Sequence, residues 1–312
     1  MTSYSCRSDA PDLCSDVSIV VVNYNAGKFL ERCIDSSLQQ AGEVILVDNA
    51  STDQSVDEVK HRFEKNSKLT VIQNETNLGF AAACNIGARV AVGQFVLFLN
   101  PDCALEDGAV SLLRLALESD QRAGMAGGLL LDSKGKEQGG GRRAVPTPWR
   151  SFVRVFHLHH FADRWPKLFA GFDQHNQPLP DAPVEVEAIS GACTMVRHYA
   201  LEKVGSWDEK YFLHCEDLDL CMRYRQQGLT ILFVPSARIV HHRGACSRSR
   251  PFFVEWHKHL GMLRFYQKFF RHQYPGVLMW LVMLGVSLRF SGVVVYIGAR
   301  SAVSKLVGER NE

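Results

Sequence analysis

The stretch VSIVVVNYNAGKFLERCIDSSLQQAGEVILVDNASTD, residues 17–53, decides the fold. It starts with a continuous apolar, β-branched run over 17–22, which is typical of a strand buried on both faces of a parallel sheet. Apolar residues then recur at helical spacing over 28–40, and a second apolar run over 43–47 ends in the polar segment 48–53. The order strand, helix, strand predicts a parallel βαβ unit.

The same alternation continues toward the C-terminus. The pattern predicts a helix over 56–63, a strand over 69–73, a helix of small residues over 77–92 and a strand over 95–99. We therefore predict an α/β fold with a doubly wound, mostly parallel sheet.

Polar side chains follow the predicted strands at the points where those strands end. In a doubly wound sheet, ligands bind at the carboxyl ends of the strands, so these side chains are expected to line a nucleotide site. They are Asn25, Asp48, Asn49, Asp53, Asn100 and Asp102.

Composition excludes several classes of protein. The 312 residues are 46% hydrophobic and 22% charged, so the chain can bury a sizeable core and is not a disordered protein. A formal net charge of +2 argues against nucleic acid as a partner. Nine cysteines without a CxxC pair favour a reducing compartment over a disulfide framework or a zinc site. Residues 1–16 have no apolar run, which excludes a secretory signal and predicts a flexible leader.

The tripeptide Asn100-Pro101-Asp102 follows an apolar strand directly. Its amide and carboxylate oxygens are the ligands of a hard divalent cation, which acts as a Lewis acid on a diphosphate leaving group. The tripeptide is also an ordinary turn sequence, and that alternative stays open.

Three acidic residues, Glu216, Asp217 and Asp219, lie at the start of a predicted helix, 217–227. A base that removes a proton from an acceptor hydroxyl needs a carboxylate at a fixed position, and Glu216 or Asp217 can serve. Asp219 is expected to pair with Arg223. The alternative is that all three acids only stabilise the helix N-terminus.

Two further motifs carry open alternatives. His241 and His242 follow a predicted last strand, 231–235, and are candidates for a metal or phosphate contact or for a structural role. The loop GGGRR, residues 139–143, either contacts a phosphate of the acceptor or is a solvated basic loop, which is the commoner outcome.

The C-terminal part differs from the rest of the chain. Residues 252–272 combine apolar residues at helical spacing with basic ones, as in a helix that lies on an anionic membrane. Residues 277–297 are strongly apolar but contain Arg289, which is costly inside a bilayer. We favour membrane-surface attachment over a true span, and a buried pair of helices remains an alternative.

Six motifs in order along the chain resemble those of glycosyltransferase family 2, in particular its rhamnosyltransferase-like branch, which builds bacterial surface polysaccharides. They are VSIVVVNYN (17–25), ILVDNASTD (45–53), NETNLGFAAACNIG (74–87), FLNPD (98–102), ISGACTMVR (189–197) and FLHCEDLDLCMR (212–223). The resemblance covers residues 17–247. It implies a GT-A domain over 17–250, with a nucleotide-binding half (17–105) and an acceptor half (106–250), followed by a membrane-associating helical region over 251–312.

The resemblance also implies roles for single residues. Those matching the family's nucleotide-sugar positions are Asn23, Asn25, Asp48, Asn49, Asp53, Asn77, Gly79, Asn85 and Asn100. Asp48 matches an acceptor for the pyrimidine imide, and Asn77, Gly79 and Asn85 match the segment near ribose and diphosphate. Asp102, Asn100 and His241 match the site for Mg²⁺ or Mn²⁺, with Asn100 where most members have Asp. Asp217, next to Glu216, matches the catalytic base.

The activity implied is an inverting transfer from a nucleotide-sugar, dTDP-rhamnose or a UDP-hexose, to a lipid-linked saccharide acceptor. The expected location is the cytoplasmic face of the inner (plasma) membrane. Residues 223–228 read RYRQQG and lack the QxxRW signature of processive members, so a single addition is expected. A dinucleotide-dependent oxidoreductase is disfavoured because the first strand has no GxGxxG loop. A catalytically silent nucleotide-sugar-binding or scaffold protein remains an alternative.

Overall fold

The stretch 17–53 forms the expected strand–helix–strand unit. The structure, a computed structural model, describes residues 13–155, 158–161, 164–169, 174–244 and 250–308. Its strands are β1 (Cys14–Asn23), β2 (Ala41–Asp48), β3 (Leu69–Gln73), β4 (Phe95–Leu99), β5 (Cys103–Leu105), β6 (Ala123–Leu131), β7 (Arg142–Arg143), β8 (Val184–Glu185), β9 (Ala188–Ile189), β10 (Cys193–Arg197) and β11 (Thr230–His241). Its helices are α1 (Phe29–Leu38), α2 (Ser55–Arg62), α3 (Phe80–Val90), α4 (Ala109–Ser119), α5 (Pro148–Val155), α6 (Pro166–Phe169), α7 (His198–Val204), α8 (Glu216–Gln226), α9 (Pro251–Phe270) and α10 (Gly276–Gly308).

Within the described residues, the central sheet has the order β3-β2-β1-β4-β10-β6-β11-β5, with β8 paired to β11. Strands β3, β2, β1 and β4 are parallel, as are β6 and β11. Strand β10 runs antiparallel to both of its neighbours, β4 and β6. The predicted mostly parallel α/β sheet is confirmed, and β10 joins its two parallel blocks.

Apolar side chains of β1 alternate between two cores, one on each face of the sheet. Val17, Ile19 and Val21 belong to the cluster that contains residues of α1 and α4, whereas Val20 and Val22 belong to the cluster that contains residues of α3, α8 and α9. A strand covered on both faces has no solvent side, which explains the unbroken apolar run. Each such side chain contributes about 1.5–3 kcal/mol through burial.

Two predicted boundaries are wrong. Strand β1 begins at Cys14 rather than Val17, because the Cys14 N–H donates to the carbonyl of Gln40 at 2.9 Å. Helix α3 begins at Phe80 rather than Asn77, because Gly79 has a φ of 87° and cannot continue a right-handed helix. Residues 1–12 of the predicted leader lie outside the described residues.

The acceptor half departs further from the predicted strands. The apolar residues over 184–196 suggest a single strand, but this segment forms three short strands, β8, β9 and β10, with different partners. Strand β11 continues past Pro235 through a register shift and ends at His241, six residues beyond the predicted end. This longer strand carries His241 to the edge where the nucleotide half ends.

Helix α9 is packed into the domain core rather than laid on its outside. Phe265 and Tyr266 are each 1% exposed, and they belong to the same apolar cluster as Tyr224 of α8. The boundary predicted at residue 250 therefore does not separate α9 from the sheet domain.

Basic residues of α9 are paired with carboxylates of the domain. Arg264 and Lys268 both donate to Asp208 at 2.8 Å, and Lys268 also donates to the fully buried Asp219 at 2.5 Å. Asp219 also accepts from Arg223 at 2.6 Å, which confirms that predicted pair. The expectation that the basic side chains of α9 face anionic lipid is therefore wrong for Arg264 and Lys268.

Helix α10 packs on α9 but leaves most of its surface open. In the part of the chain that the structure describes, one segment, Gly276–Arg300, is long and apolar enough to cross a membrane by length and composition. Only 11% of its most apolar window is buried, and Trp280 and Leu288 are each 63% exposed. The alternative of two buried helices is therefore wrong for α10.

Candidate active site

Asn23, at the end of β1, holds the loops around the site together. The two hydrogens of its Nδ2 are shared among three acceptors, Asp48 Oδ1 at 3.0 Å, Ser51 Oγ at 3.0 Å and Ser55 Oγ at 3.1 Å. Its side-chain oxygen accepts from the Ala26 N–H, and the residue has no exposed surface. Asn23 thus holds the loops of the site together, and its predicted contact with the nucleotide-sugar stays a prediction.

Asp48 ends β2 and organises the turn that follows. Its Oδ1 accepts from the Ser51 hydroxyl at 2.5 Å, and its Oδ2 accepts from the Ser51 N–H at 3.2 Å. The residue is 2% exposed. In this structure both carboxylate oxygens accept hydrogen bonds within the turn. Contact of Asp48 with the pyrimidine of a nucleotide remains a prediction.

Asn25 and Asp53 join the two loops that follow β1 and β2. Asn25 has a φ of 54°, and its Oδ1 accepts from the N–H groups of Thr52 at 2.7 Å and Asp53 at 3.2 Å. Asp53 in turn accepts from the Gly27 N–H at 2.9 Å. Both residues are only partly buried, so this edge of the sheet is open to a ligand.

Gly79 joins the nucleotide half to the loop before α8. Asn49 donates to its carbonyl at 3.0 Å, and Asn77 accepts from its N–H at 2.9 Å. A Cβ at position 79 would lie 2.7 Å from the carbonyl oxygen of Phe212, so only glycine allows this approach. The three residues predicted from the family motifs are thus brought together here.

Asn85 lies elsewhere, on the buried face of α3. Its side chain donates to the Trp207 carbonyl and to Glu209 Oε1, both at 2.9 Å, and accepts from the Trp207 N–H at 2.9 Å. The residue is 6% exposed and its amide is fully used by protein groups. In this structure Asn85 anchors the 207–209 loop, and its predicted contact with ribose or diphosphate stays a prediction.

Asp102 and His241 form a candidate metal site. His241 Nε2 lies 3.4 Å from Asp102 Oδ1, and both residues are more than nine-tenths buried. Two ligand atoms bound about 2.1 Å from one ion are roughly 3.0–3.4 Å apart at tetrahedral or octahedral angles. The observed separation therefore suits a shared divalent cation. The ring of His242 instead packs on Phe29, with centroids 4.7 Å apart.

Cys103 is the third group in this cluster, with its sulfur within 4.8 Å of the other two ligand atoms. Burial, reinforced by the charge of Asp102, raises the pKa of the Cys103 thiol well above its usual range. The thiol donates to the Ala192 carbonyl at 3.5 Å. A neutral thiol is a poor ligand for Mg²⁺ or Mn²⁺, so Asp102 and His241 are the groups suited to these ions.

Gln138 contacts the candidate metal site, and the sequence analysis did not identify it. Its Oε1 lies 2.9 Å from His241 Nδ1, and its Nε2 donates to the His241 carbonyl at 2.5 Å. A single glutamine in a loop rich in glycine and charge carries no signal of this role.

The peptide Gly191–Ala192 connects the turn Asn100-Pro101-Asp102 to Asp217. The Asn100 N–H donates to the Ala192 carbonyl at 2.9 Å, and the Gly191 N–H donates to Asp217 Oδ2 at 3.2 Å. A Cβ at position 191 would lie 3.2 Å from Asp217 Cβ, so glycine permits this approach. Asn100 thus lies at the site, and its side chain as a metal ligand stays a prediction.

Asp217 carries an ion pair with Arg143. The Arg143 guanidinium donates to Asp217 Oδ2, and the Leu218 N–H donates to Oδ1 at 2.7 Å. The Asp217 side chain is 17% exposed, so its carboxylate is fixed by these bonds but remains accessible to a substrate. Neighbouring Arg142 is buried against Glu137 at 2.8 Å. The prediction that GGGRR is a solvated basic loop is therefore wrong for both arginines.

Glu216 occupies a different environment from Asp217. It is 7% exposed, and its Oε2 is buried without a hydrogen-bond partner among the residues that the structure describes. Burial, together with the negative charge of Asp217, raises the pKa of the Glu216 carboxyl well above its usual range. Of the two predicted acids, Asp217 is the one that accepts from the Gly191 N–H, next to Ala192, whose carbonyl accepts from the Asn100 N–H.

Sequence comparison decides the family. The sequence model of glycosyl transferase family 2 matches residues 18–205, and that of glycosyl transferase family group 2 matches residues 133–304. The chain belongs to glycosyltransferase family 2. Members transfer sugars in glycan biosynthesis, and the ordered motifs of the sequence are those of a glycosyltransferase.

Among curated family 2 relatives is the N-acetylglucosaminyl-diphospho-decaprenol L-rhamnosyltransferase of Mycobacterium tuberculosis. It is 30% identical over 240 residues, which cover 72% of this chain and 75% of the relative. This supports the placement in the rhamnosyltransferase-like branch.

Solved structures share the GT-A fold of this family 2 chain. The mannosyltransferase PcManGT from Pyrobaculum calidifontis, solved with GDP-Man and Mn²⁺, has a TM-score of 0.55 at 17% identity, covering 92% of this chain and 73% of its own. GalNAc-T7, solved with UDP, GalNAc and Mn²⁺, also has a TM-score of 0.55, at 18% identity. That match covers 76% of this chain but only 44% of GalNAc-T7. At these identities the likeness shows the fold.

Proposed function

We propose that this glycosyltransferase is an inverting, metal-dependent enzyme that transfers rhamnose from dTDP-rhamnose to a lipid-linked glycan acceptor. The observation that carries the proposal is the peptide Gly191–Ala192, which contacts the Asp217 carboxylate on one side and the Asn100 backbone on the other. The proposed base and the turn 100–102 are thereby both tied to one peptide, which would hold them in a fixed relation, as a displacement at a sugar carbon requires.

The residues divide the chemistry between them. Asp102 and His241, with Asn100, would hold a divalent cation, which neutralises the charge that develops on the diphosphate leaving group. Asp217 accepts the proton of the acceptor hydroxyl while the oxygen attacks the anomeric carbon and the bond from that carbon to the diphosphate breaks. Because attack and departure occur on opposite faces, the anomeric configuration inverts.

The donor half supplies the nucleotide site of this proposal. Partly exposed Asn25 and Asp53 edge the open end of the sheet, and Asp48 and Asn49 set the loops beneath it. The choice of dTDP-rhamnose is supported by the Mycobacterium tuberculosis relative, whose name specifies rhamnosyl transfer to a decaprenol-linked acceptor. A UDP-hexose is the alternative donor.

The acceptor is proposed to be membrane-bound. Support comes from α10, whose apolar surface is largely exposed over Gly276–Arg300, and from the decaprenol-linked acceptor of the relative. Because α9 is packed into the domain core and α10 follows it directly, the catalytic domain would work close to the membrane surface. We place it at the cytoplasmic face of the inner membrane, where nucleotide-sugars are available.

The test measures nucleoside diphosphate release from dTDP-, UDP- and GDP-sugars with membrane lipid extract, in Mg²⁺ or Mn²⁺ and then in EDTA. We expect turnover of dTDP-rhamnose that EDTA abolishes and that Asp217→Asn lowers at least about 10³-fold. Asp57→Asn, at an exposed acid of α2, is the matched control and should leave turnover unchanged. Selective turnover of a UDP-hexose would refute dTDP-rhamnose as the donor. Donor binding without turnover under any condition would favour the alternative of a catalytically silent nucleotide-sugar-binding protein.

A further inference from the structure

We propose that Gln138 is a positioning residue of the metal site, fixing the tautomer of His241 so that the Nε2 lone pair faces Asp102. The inference rests on the proposed metal-dependent function. It concerns a residue that lies in the loop between β6 and β7, outside the six motifs that identify the family.

The orientation of the Gln138 amide follows from its acceptors. One end of the amide lies 2.5 Å from the carbonyl oxygen of His241 and 3.3 Å from that of Leu131. Two carbonyl oxygens require a donor, so the NH₂ group must be at this end. The amide oxygen is then the atom that lies 2.9 Å from His241 Nδ1.

The tautomer of His241 follows in turn. Because the Gln138 oxygen can only accept, Nδ1 must carry a proton, and in the neutral imidazole this leaves Nε2 as an acceptor. That lone pair faces Asp102 Oδ1 across 3.4 Å. Two facing acceptors repel each other unless a cation lies between them, so the tautomer set by Gln138 prepares the pair for a divalent ion.

The backbone holds Gln138 at this place independently of His241. The Gln138 N–H donates to the Leu130 carbonyl at 2.8 Å, and the neighbouring Glu137 forms a bridge with Leu131. Glu137 is also paired with the buried Arg142 at 2.8 Å. The amide is therefore presented by a hairpin extension of β6, so its orientation is fixed before any ligand binds.

A merely structural role would differ in its consequences. If Gln138 only tied its loop to β11, its loss would lower stability but would leave the imidazole tautomer and the metal affinity unchanged. Two variants separate these cases. Gln138→Leu keeps the size of the side chain and removes both hydrogen-bonding groups, and Gln138→Glu keeps an acceptor for Nδ1 while losing the donor to the His241 carbonyl.

The first measurement is ¹⁵N NMR of the histidine rings in the full-length protein without metal or donor, at a pH where the imidazoles are neutral. The two-bond couplings of His241, assigned by comparison with His241→Gln, show which nitrogen is protonated. We expect the Nδ1–H form in the wild type and in Gln138→Glu, and a mixture in Gln138→Leu. Gln226→Leu, at an exposed glutamine of α8, is the control for the substitution itself. A wild type in the Nε2–H form would overturn the inference whatever the enzyme's activity.

The second measurement is the affinity for Mn²⁺ alone, from the EPR signal of free Mn²⁺. Loss of a partner that orients a metal-binding histidine typically costs 10–100-fold in affinity, so Gln138→Leu should bind about 10–100-fold more weakly and Gln138→Glu should recover most of the loss. Equal affinities in the wild type and Gln138→Leu would overturn the role of Gln138 alone. No binding by the wild type would refute the proposed metal dependence and this role with it.

Discussion

Arg143 donates its guanidinium N–H to Oδ2 of Asp217, so the proposed base is ion-paired before any substrate binds. The contact joins β7 to the first turn of α8, and the Gly191 N–H donates to the same oxygen at 3.2 Å. Two donors on one oxygen fix the carboxylate in one orientation. Arg143 thus connects β7, which follows the loop that carries Gln138, to the N-terminal end of α8.

Replacement of Arg143 should impair the chemical step. We expect Arg143→Leu to lower kcat about 10–100-fold, because a carboxylate that is free to rotate no longer meets the acceptor hydroxyl in one geometry. Arg143→Lys should retain more activity because the charge remains. Single-turnover kinetics measure the effect, and Arg122→Leu, at an arginine side chain that is 73% exposed, serves as control. An unchanged single-turnover rate in Arg143→Leu would show that this pair is not needed to position the base.

Gly79 should tolerate no side chain. Gly79→Ala combines a φ of 87° with a Cβ 2.7 Å from the Phe212 carbonyl, so we expect a loss of about 2–4 kcal/mol in the free energy of unfolding. Gly108→Ala is the matched control, because its φ is 76° but its Cβ would meet nothing within 4 Å, and it should cost about 1–2 kcal/mol. Urea unfolding compares the two variants. Equal losses would mean that the loop before α8 moves aside without cost.

Glu216 should destabilise the protein as the pH rises. Because burial and the charge of Asp217 raise the folded-state pKa of Glu216, the folded protein keeps a proton that the unfolded chain releases, and stability falls with pH between the two pKa values. Glu216→Gln removes this ionisation. We expect a gain on the order of 1–3 kcal/mol at neutral pH that disappears near pH 4. Thermal unfolding across pH measures it, and a gain that does not change with pH would contradict this origin.

Lys268 should bind α9 to the domain. Lys268→Met leaves Asp219 with Arg223 alone and removes one of the two cations at Asp208, so we expect a loss of about 1–3 kcal/mol in unfolding free energy. Lys258→Met is the control, because Lys258 pairs only with Glu255 of the same helix among the described contacts, and it should change stability by less than about 0.5 kcal/mol. Urea unfolding measures both variants. If both lost less than about 0.5 kcal/mol of unfolding free energy, the ion pairs of Lys268 with Asp208 and Asp219 would not stabilise the protein.

The exposed face of α10 should determine membrane attachment. Leu281 and Leu288 are 51% and 63% exposed, and a lysine in place of a leucine at the centre of a span costs about 3 kcal/mol. We expect Leu281→Lys with Leu288→Lys to move the protein from the membrane fraction to the soluble one. Leu115→Lys, at a 52% exposed leucine of α4, should not. Resistance of the wild type to alkaline carbonate would indicate a span, release would indicate surface attachment, and a wild type that never sediments with membranes would refute both.

Local patterns predicted the nucleotide half well. The structure confirms the βαβ alternation, the strands 69–73 and 95–99 and the polar residues at the strand ends. Each of these features depends on residues that are close together in the sequence. The acceptor half was harder, because β8, β9 and β10 are short and each is stabilised by a distant strand. Nothing in the local pattern of 184–196 shows where such a segment breaks.

The sequence by itself determined the α/β class, the family and the candidate metal and acid motifs, because these depend on apolar periodicity and on residue types at short spacing. Only the tertiary structure decided how those residues are used. Asn23 and Asn85 form buried hydrogen bonds within the protein. Arg264 and Lys268 pair with carboxylates of the domain. Gln138 contacts His241, and Arg143 pairs with Asp217. Each outcome depends on which distant group completes a buried hydrogen bond or balances a buried charge. The packing of the whole chain determines that partner, and the residues next to each side chain in the sequence do not indicate it.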